Sequence, residues 1–588
     1  MASPDHHVTQ TLALQPLDGR PRVRFMSREL AMRLCACAVV LAPLVTVAVV
    51  LSVGIGPTFV NGIDNAVNEL RLRDLGSHAV LLGPYSRDGW SHPGPAMYLV
   101  LLPFYLLAGK ASIGMHLGAV FVNASALMTI VLLARRCGGR SLLLLTTLGM
   151  SGLLWHLGPA FISSPWNPLL PVLPFGAFIM CCWAAVCGVR WMIPVAVALA
   201  SFCVQTHVGY LPLTLPLIGW AAVCVAWRAR RGRSRACVRE FAVAGVVGAV
   251  LWLPPVIQQL TAHRGNLSAL WSYFRHPSQA MHSLKDSYAV VAHELSWEPY
   301  WLHRLRPNMT HFHASTSATV APLLLGAFAL ASALMWRRGP AAARALFGAL
   351  AVSLVAGLIS IWRTPGILQD YRLEWLPMLS LLMAIATAWF IWLGCRRALE
   401  THVRVLRVAG AVSVLVASIG ISAVNVADSG RTRATDLLQD GTDISRLVAT
   451  ARRALPIPRG QVVVVSYGPL GELLVPATVL SLERSGYDAR VPDFHARRRS
   501  QFIYDDSELL YGAHRVCTGD AAAMLIVRSA RSRREVRQVL GYRQAVRRLG
   551  PHRFLALHLG PFTPSAAFPC RPVKERARRA LPAARSAP

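Results

Sequence analysis

Long apolar runs alternate with short polar, arginine-bearing connections from about residue 31 to residue 425, after which the runs shorten and acids and arginines intermix. A helix of roughly twenty apolar residues crosses the hydrocarbon core of a bilayer. The pattern therefore predicts a polytopic α-helical membrane protein of about eleven spans, followed by a small extracytoplasmic α/β domain. Residues 1–30 are polar and end in Arg20, Arg22, Arg24 and Arg28, which holds the N-terminus on the cytoplasmic side. The run from Ala31 to about Ile55 crosses once and delivers the polar stretch 56–95 to the outer face.

The next apolar piece, Met97 to Gly109, is about thirteen residues long, short for a span, and reads as a helix dipping into the outer leaflet. Counted so, Arg135, Arg136 and Arg140 fall inside, between spans at about 112–134 and 141–158, and the loop Ile162 to Pro168 is external. Spans at about 169–188 and 191–204 then put Gln205 to Tyr210 outside, and the next span ends at the basic cluster Arg228 to Arg239 inside. After a span at about 241–257, the outer loop 258–319 is expected to form short helices on the membrane surface. Two spans flank Arg337 and Arg338, an outer loop runs from Arg363 to Glu374, and two further spans end near residue 424. The whole unit is 31–425.

Beyond it, a β-branched run from Gln461 to Ser466 reads as a strand leading to a helical pattern that ends near Arg484. Met524 to Arg528 and Phe554 to His558 read as buried strands around an arginine-rich helix at 531–547. Residues 426–570 make up this domain. The stretch 571–588, rich in Arg, Ala and Pro, is a disordered basic tail.

Composition sharpens the class. Of 588 residues, 54% are hydrophobic and 15% are charged, too apolar a balance for an ordinary soluble domain. The net charge of +32 raises nucleic acid as a partner, but the basic residues before 425 sit in short clusters between apolar runs, where they orient spans in a membrane, so no nucleic acid is expected. Most of the cysteines lie in or beside apolar runs as small hydrophobes. Cys517 and Cys570 stand apart in the C-terminal segment and suit a disulfide if that segment is external.

Candidate chemistry concentrates in the outer loop 56–95, which carries Asp64, Glu69, Asp74, Arg87, Asp88 and His92. Asp64 and Glu69 are five apart on a short helix and point to neighbouring faces. The run Trp90-Ser-His-Pro-Gly-Pro95 fixes a bend before the re-entrant helix, and a rigid turn beside acids suggests a built pocket rather than a solvated loop.

An acidic pair just after the first span, then a basic residue and prolines leading into a short apolar helix that ends in Gly, resembles the GT-C superfamily of membrane glycosyltransferases. Protein O-mannosyltransferases and lipid A aminoarabinose transferases belong to it. The stretch Gly83 to Pro95, with Pro165-Trp-Asn-Pro168 and Gln205-Thr-His207, is similar to uncharacterised actinobacterial members. The resemblance implies an inverting glycosyltransferase that moves a sugar from a polyprenyl-phosphate donor to a cell-envelope glycan or protein at the outer face of the plasma membrane. It implies Asp64 as general base, with a second acid that comes from Glu69 or Asp74 or is absent. Arg87, His92, Arg363 and Arg372 become candidates for the donor phosphate, and Asn65, Tyr85, Trp90, Trp166, Asn167 and His207 for the substrates. Asn65 stands where relatives carry a second acid, and His92 where they carry a lysine, so a divalent metal stays open and no cofactor is certain. Membrane lipids are the other expected partners. Two further readings stay open: a lipid-linked glycan transporter and a non-catalytic membrane scaffold.

Overall fold

A computed structural model describes residues 28–433 except 57–58, 78, 87, 233–235, 263–264, 278, 297, 305–321 and 399–402, and beyond them 449, 462–467, 475–492, 515–516, 523–530, 534, 543–550 and 553–560. Helix α1 (Arg28–Gly54) leads to α2 (Ile63–Asp74), a hairpin of β1 (Tyr85–Ser86) and β2 (Trp90–Ser91), and α3 (Ala96–Leu107). The bundle continues with α4 (Ile113–Ile162), α5 (Val172–Val186), α6 (Met192–Thr206), α7 (Leu211–Gly232) and α8 (Ala236–Thr261). Then follow the short α9 (Asn266–Arg275) and α10 (Leu284–Glu294), and the apolar α11 (Leu323–Arg338), α12 (Ala341–Trp362), α13 (Trp375–Ala398) and α14 (Val403–Arg431).

Seven of the described helical runs are long and apolar enough to cross a membrane, and α3, α5, α6 and α11 are shorter apolar helices. The chain is a multi-pass membrane protein. The α4 run is interrupted at Gly139, whose φ of 83° is a left-handed conformation that glycine adopts without strain. It is therefore two helices joined by a turn among Arg135, Arg136 and Arg140, where the sequence pattern puts a polar connection, and the second is broken again at Gly158. Helices α5 and α6 have 15 residues each, about 22 Å of length, shorter than the apolar runs suggest. Residues Val172 to Ala185 of α5 are buried on every face, so this helix is the centre of the bundle and needs no polar side. α3 has 12 residues, about 18 Å.

The two ends of the bundle differ in chemistry. At one, Glu29 binds Arg33 at 2.9 Å and Arg135 at 2.5 Å, and Arg190 lies 3.7 Å from Glu240. At the other, α2, the hairpin, the loops after α4 and α6, the helices α9 and α10 and the turn before α13 come together.

The C-terminal segment contributes β3 (Val462–Tyr467), α15 (Val475–Arg484), β4 (Asp488–Pro492), β5 (Arg515–Val516), β6 (Ala523–Ala530), β7 (Arg543–Gly550) and β8 (Arg553–Gly560). Its sheet runs β5-β4-β3-β6-β8-β7. The first four are parallel and the last two pair antiparallel. The arginine-rich helix expected at 531–547 is corrected here: residues from Arg543 onward form β7, which pairs with β8 and pairs Val546 with Ala556. Cross-strand pairing outweighs the helical look of a short arginine-rich window.

Helix α15 packs on α2, at the end of the bundle where the loops converge. Arg484 lies 3.2 Å from the fully buried carboxylate of Glu69 and donates to the carbonyls of Phe59 (2.6 Å) and Lys110 (2.7 Å). Glu69 also accepts from Ser112 Oγ at 2.6 Å, Asn61 Nδ2 at 2.8 Å and the Tyr105 hydroxyl at 3.0 Å. One position from Arg484, Glu483 meets Arg73 of α2 at 3.3 Å. Removing one partner of a buried pair strands the other charge, at about 3–5 kcal/mol. Arg484→Ala is thus expected to loosen the C-terminal domain from α2 and lower the melting temperature. Thermal unfolding and limited proteolysis check this, and an unchanged cleavage pattern would show that the pair does not hold the domain.

Candidate active site

The site grows from the first turn of α2. Gly62 is extended before the helix (φ −100°, ψ 165°), and Asp64 follows in the first turn, where exposed backbone N–H groups favour a carboxylate. Asp64 Oδ2 accepts a hydrogen bond from Trp166 Nε1 at 2.9 Å. Trp166 lies in the turn after α4, beside which His116 stands with Nδ1 2.9 Å from the Ser163 carbonyl and Nε2 2.8 Å from Asn61 Oδ1, its neutral ring donating to one of the two. The Trp166 ring lies 5.2 Å from the Tyr371 ring, and Tyr371 precedes Arg372. Asn167 is buried, with Nδ2 3.5 Å from the Thr206 carbonyl.

The β1–β2 hairpin forms the second wall. Gly83 N donates to His92 O at 3.0 Å and His92 N to Pro84 O at 2.8 Å. A Cβ at Gly83 would stand 2.6 Å from the Gln205 carbonyl oxygen, and one at Gly94 2.3 Å from Gln205 Oε1. Glycine at both positions lets the segment close on the end of α6. Asn266 of α9 acts as a strand partner for Ser91, accepting from its N–H at 2.9 Å and donating to its carbonyl at 2.8 Å. Trp90, expected to meet substrate, is instead 6% exposed and wedged against His92, Tyr273 and Phe274.

His92 is buried, and its Nδ1 accepts from Val208 N at 3.0 Å, so in the neutral ring the proton sits on Nε2. The His207 ring is 4.8 Å away. Burial, the neighbouring His207 and the charge of Arg372 hold His92 well below its ordinary value. Burial and then Arg372 lower His207 to about 3. Both imidazoles are neutral at pH 7, so the fixed positive charge here is Arg372, with Nη2 3.9 Å from Asp88 Oδ2. Burial pushes the carboxyls of Glu294 and Glu374 up to about 8.

Several expected residues thus converge: Asp64, Trp166, His92, His207 and Arg372. Tyr85 opens the hairpin, and Asn65 Oδ1 is buried without a hydrogen-bond partner. Two do not join. Arg363 is exposed, with its guanidinium 5.9 Å from the Trp362 ring. Glu69, expected as a second acid, is fully buried and lies 3.2 Å from Arg484, and five residues turn it roughly 140° from Asp64 around the helix, so the two carboxylates face different ways. Among the described residues no group of three or more potential metal ligands occurs. Arg87, Cys517 and Cys570 lie outside the described residues. Sequence reasoning missed Tyr371, Tyr273, His116 and Asn266, which become partners only by long-range packing. Tyr371 alone had a local signal, lying beside Arg372 in a polar outer loop.

No known protein family matches the chain, and no curated protein matches it. Among solved structures it is similar to ArnT from Cupriavidus metallidurans bound to undecaprenyl phosphate, at 14% identity and a TM-score of 0.49, covering 87% of this chain and 97% of that one. The apo state of the same protein gives 13% identity and 0.49, with the same coverage. The Archaeoglobus fulgidus oligosaccharyltransferase in complex with zinc and sulfate gives 12% and 0.33, covering 82% of this chain and 67% of that one. At these values the likenesses assign neither substrate nor site residue here.

A histidine whose value falls on folding lends stability above its unfolded value and loses it as the pH drops towards the folded one. For His207 that window runs from 6.5 down to about 3. The melting-temperature advantage of wild type over His207→Asn is expected to shrink steadily between pH 6.5 and 4. A constant difference across that range would remove the histidine from the linkage.

Proposed function

We propose that the chain is an inverting glycosyltransferase that moves a sugar from a polyprenyl-phosphate donor to a cell-envelope glycan or protein at the outer face of the plasma membrane. The observation that carries this reading is the meeting of Asp64, Trp166, Tyr371 and Arg372, from three distant stretches, at one end of a membrane-spanning bundle. A carboxylate and a guanidinium beside two aromatic rings are the parts a direct displacement at a sugar carbon needs.

Asp64 takes the proton of the acceptor hydroxyl as its oxygen attacks the anomeric carbon. The bond from that carbon to the phosphate oxygen breaks on the opposite side, its electron pair leaves with the phosphate, and Arg372 meets the growing charge. Trp166 holds Asp64 in place through its indole N–H and, with Tyr371, offers ring surface to the sugar. His92, neutral and donating through Nε2, supplies a hydrogen bond rather than a charge. The resemblance of the Gly83 to Pro95 stretch to the GT-C superfamily supports the same chemistry.

Purified Asp64→Asn, given radiolabelled polyprenyl-phosphate sugars and envelope extract, is expected to lose transfer by about 10²–10⁴-fold while still binding donor. Transfer equal to wild type would remove Asp64 as base, and binding without transfer by wild type itself would favour a transporter. Arg372→Gln is expected to weaken polyprenyl-phosphate binding by roughly tenfold or more, the scale of a lost charge-assisted hydrogen bond. Equilibrium binding of the lipid phosphate checks this.

A further inference from the structure

Three side-chain atoms of α2 are buried without a hydrogen-bond partner: Asn65 Oδ1, Asn68 Nδ2 and Arg71 Nη2. Buried polar atoms in folded proteins are almost always paired, so three on one short helix require a reason. Asp64, Asn68 and Arg71 are spaced i, i+4, i+7, which stacks them along one face. The face that carries the proposed base thus carries two unused donors a turn apart.

Their neighbours sharpen the point. Asn68 Oδ1 accepts from the Tyr98 hydroxyl at 3.0 Å, which commits that oxygen and leaves Nδ2 without an acceptor. Tyr98 and Asp74 are the titratable groups whose fields act on Arg71, yet no carboxylate among the described residues forms an ion pair with it. Two positions on, Arg73 has Glu483 at 3.3 Å and the Tyr105 hydroxyl at 3.4 Å. A guanidinium cannot shed its charge by deprotonation in a protein. A half-buried arginine whose Nη2 is buried without an acceptor, one turn from an amide N–H₂ in the same condition, offers the donor types that take an oxyanion.

We propose that Arg71 and Asn68 form an oxyanion subsite that binds a phosphate or carboxylate carried by the acceptor. This rests on the glycosyltransferase reading above. Arg372 already stands with His92 and His207 to meet the donor phosphate, and Arg71 is a second, separate cation. Seven residues of helix place it about 10 Å along the axis from Asp64. An acceptor would therefore offer its hydroxyl to Asp64 and its anionic group to Arg71, which orients it and rejects uncharged glycans.

The test uses the full chain in lipid nanodiscs and reads melting temperature with glucose 6-phosphate, glucose or polyprenyl monophosphate added. A cation that waits unpaired for a ligand is a burden in its absence, so Arg71→Met alone is expected to melt at or above wild type. Glucose 6-phosphate should raise the wild type by at least about 2 °C, Arg71→Lys by less and Arg71→Met not at all. Glucose should move none of them, and polyprenyl monophosphate should protect wild type and Arg71→Met alike. The proposal is overturned if glucose 6-phosphate moves wild type and Arg71→Met equally or moves neither. It is also overturned if Arg71→Met loses protection by polyprenyl monophosphate, which would put the donor phosphate at Arg71. Failure of the transferase reading shows separately, as absence of sugar transfer by the wild type.

Discussion

A carboxylate with no exposure to solvent governs this structure. Glu69 has four partners drawn from four places: Asn61 before α2, Tyr105 of α3, Ser112 before α4 and Arg484 of α15. An ionised carboxylate is tolerated in such a place only when its lone pairs are filled, so these segments cannot separate without stranding the charge. Through Asn61 the network reaches His116, which stands between Asn61 and the Ser163 carbonyl, beside the turn that presents Trp166. The polar contact that docks the C-terminal domain and the turn that steadies Asp64 belong to one run of polar contacts.

That arrangement explains how a site made mainly of connecting segments stays ordered. Loops bear function when a scaffold holds them, and here the hold is local and polar. Asn266 pairs with both main-chain groups of Ser91, Gln205 receives the backbone of Ala96 at 3.2 Å, and Val208 N reaches His92. Small residues at Gly83 and Gly94 allow the hairpin to sit directly on the end of α6. Within this framework Asn68 Nδ2 and Arg71 Nη2 are buried without partners, as are Trp90 Nε1, Ser91 Oγ and Thr206 Oγ1. Stability is given up on the face of α2 that carries Asp64, while the opposite side carries the anchor.

The sequence by itself determined the membrane class, because the length of an apolar run against bilayer thickness is a one-dimensional property. It also determined the position of the polar loops, the turn among Arg135, Arg136 and Arg140, and three of the six described C-terminal strands, β3, β6 and β8, whose apolar runs are local signals. It singled out Asp64, His92, Trp166, His207 and Arg372 as chemistry-bearing residues, since each stands in a polar stretch beside an apolar run. Only the tertiary structure decided which of them meet. Five residues of helix turn Glu69 away from Asp64, a fact latent in the spacing, but the Arg484 that claims Glu69 lies 415 residues further on and has no local signature. Trp90 looked like a substrate platform and became a wedge because α9 brought Tyr273 and Phe274 against it. Residues 543–547 looked helical and became a strand because β8 offered an edge to pair with. Local pattern sets what a segment can be. Burial and long-range partners set what it is, because the free energy of a buried charge or an open strand edge depends on neighbours that the local pattern does not name.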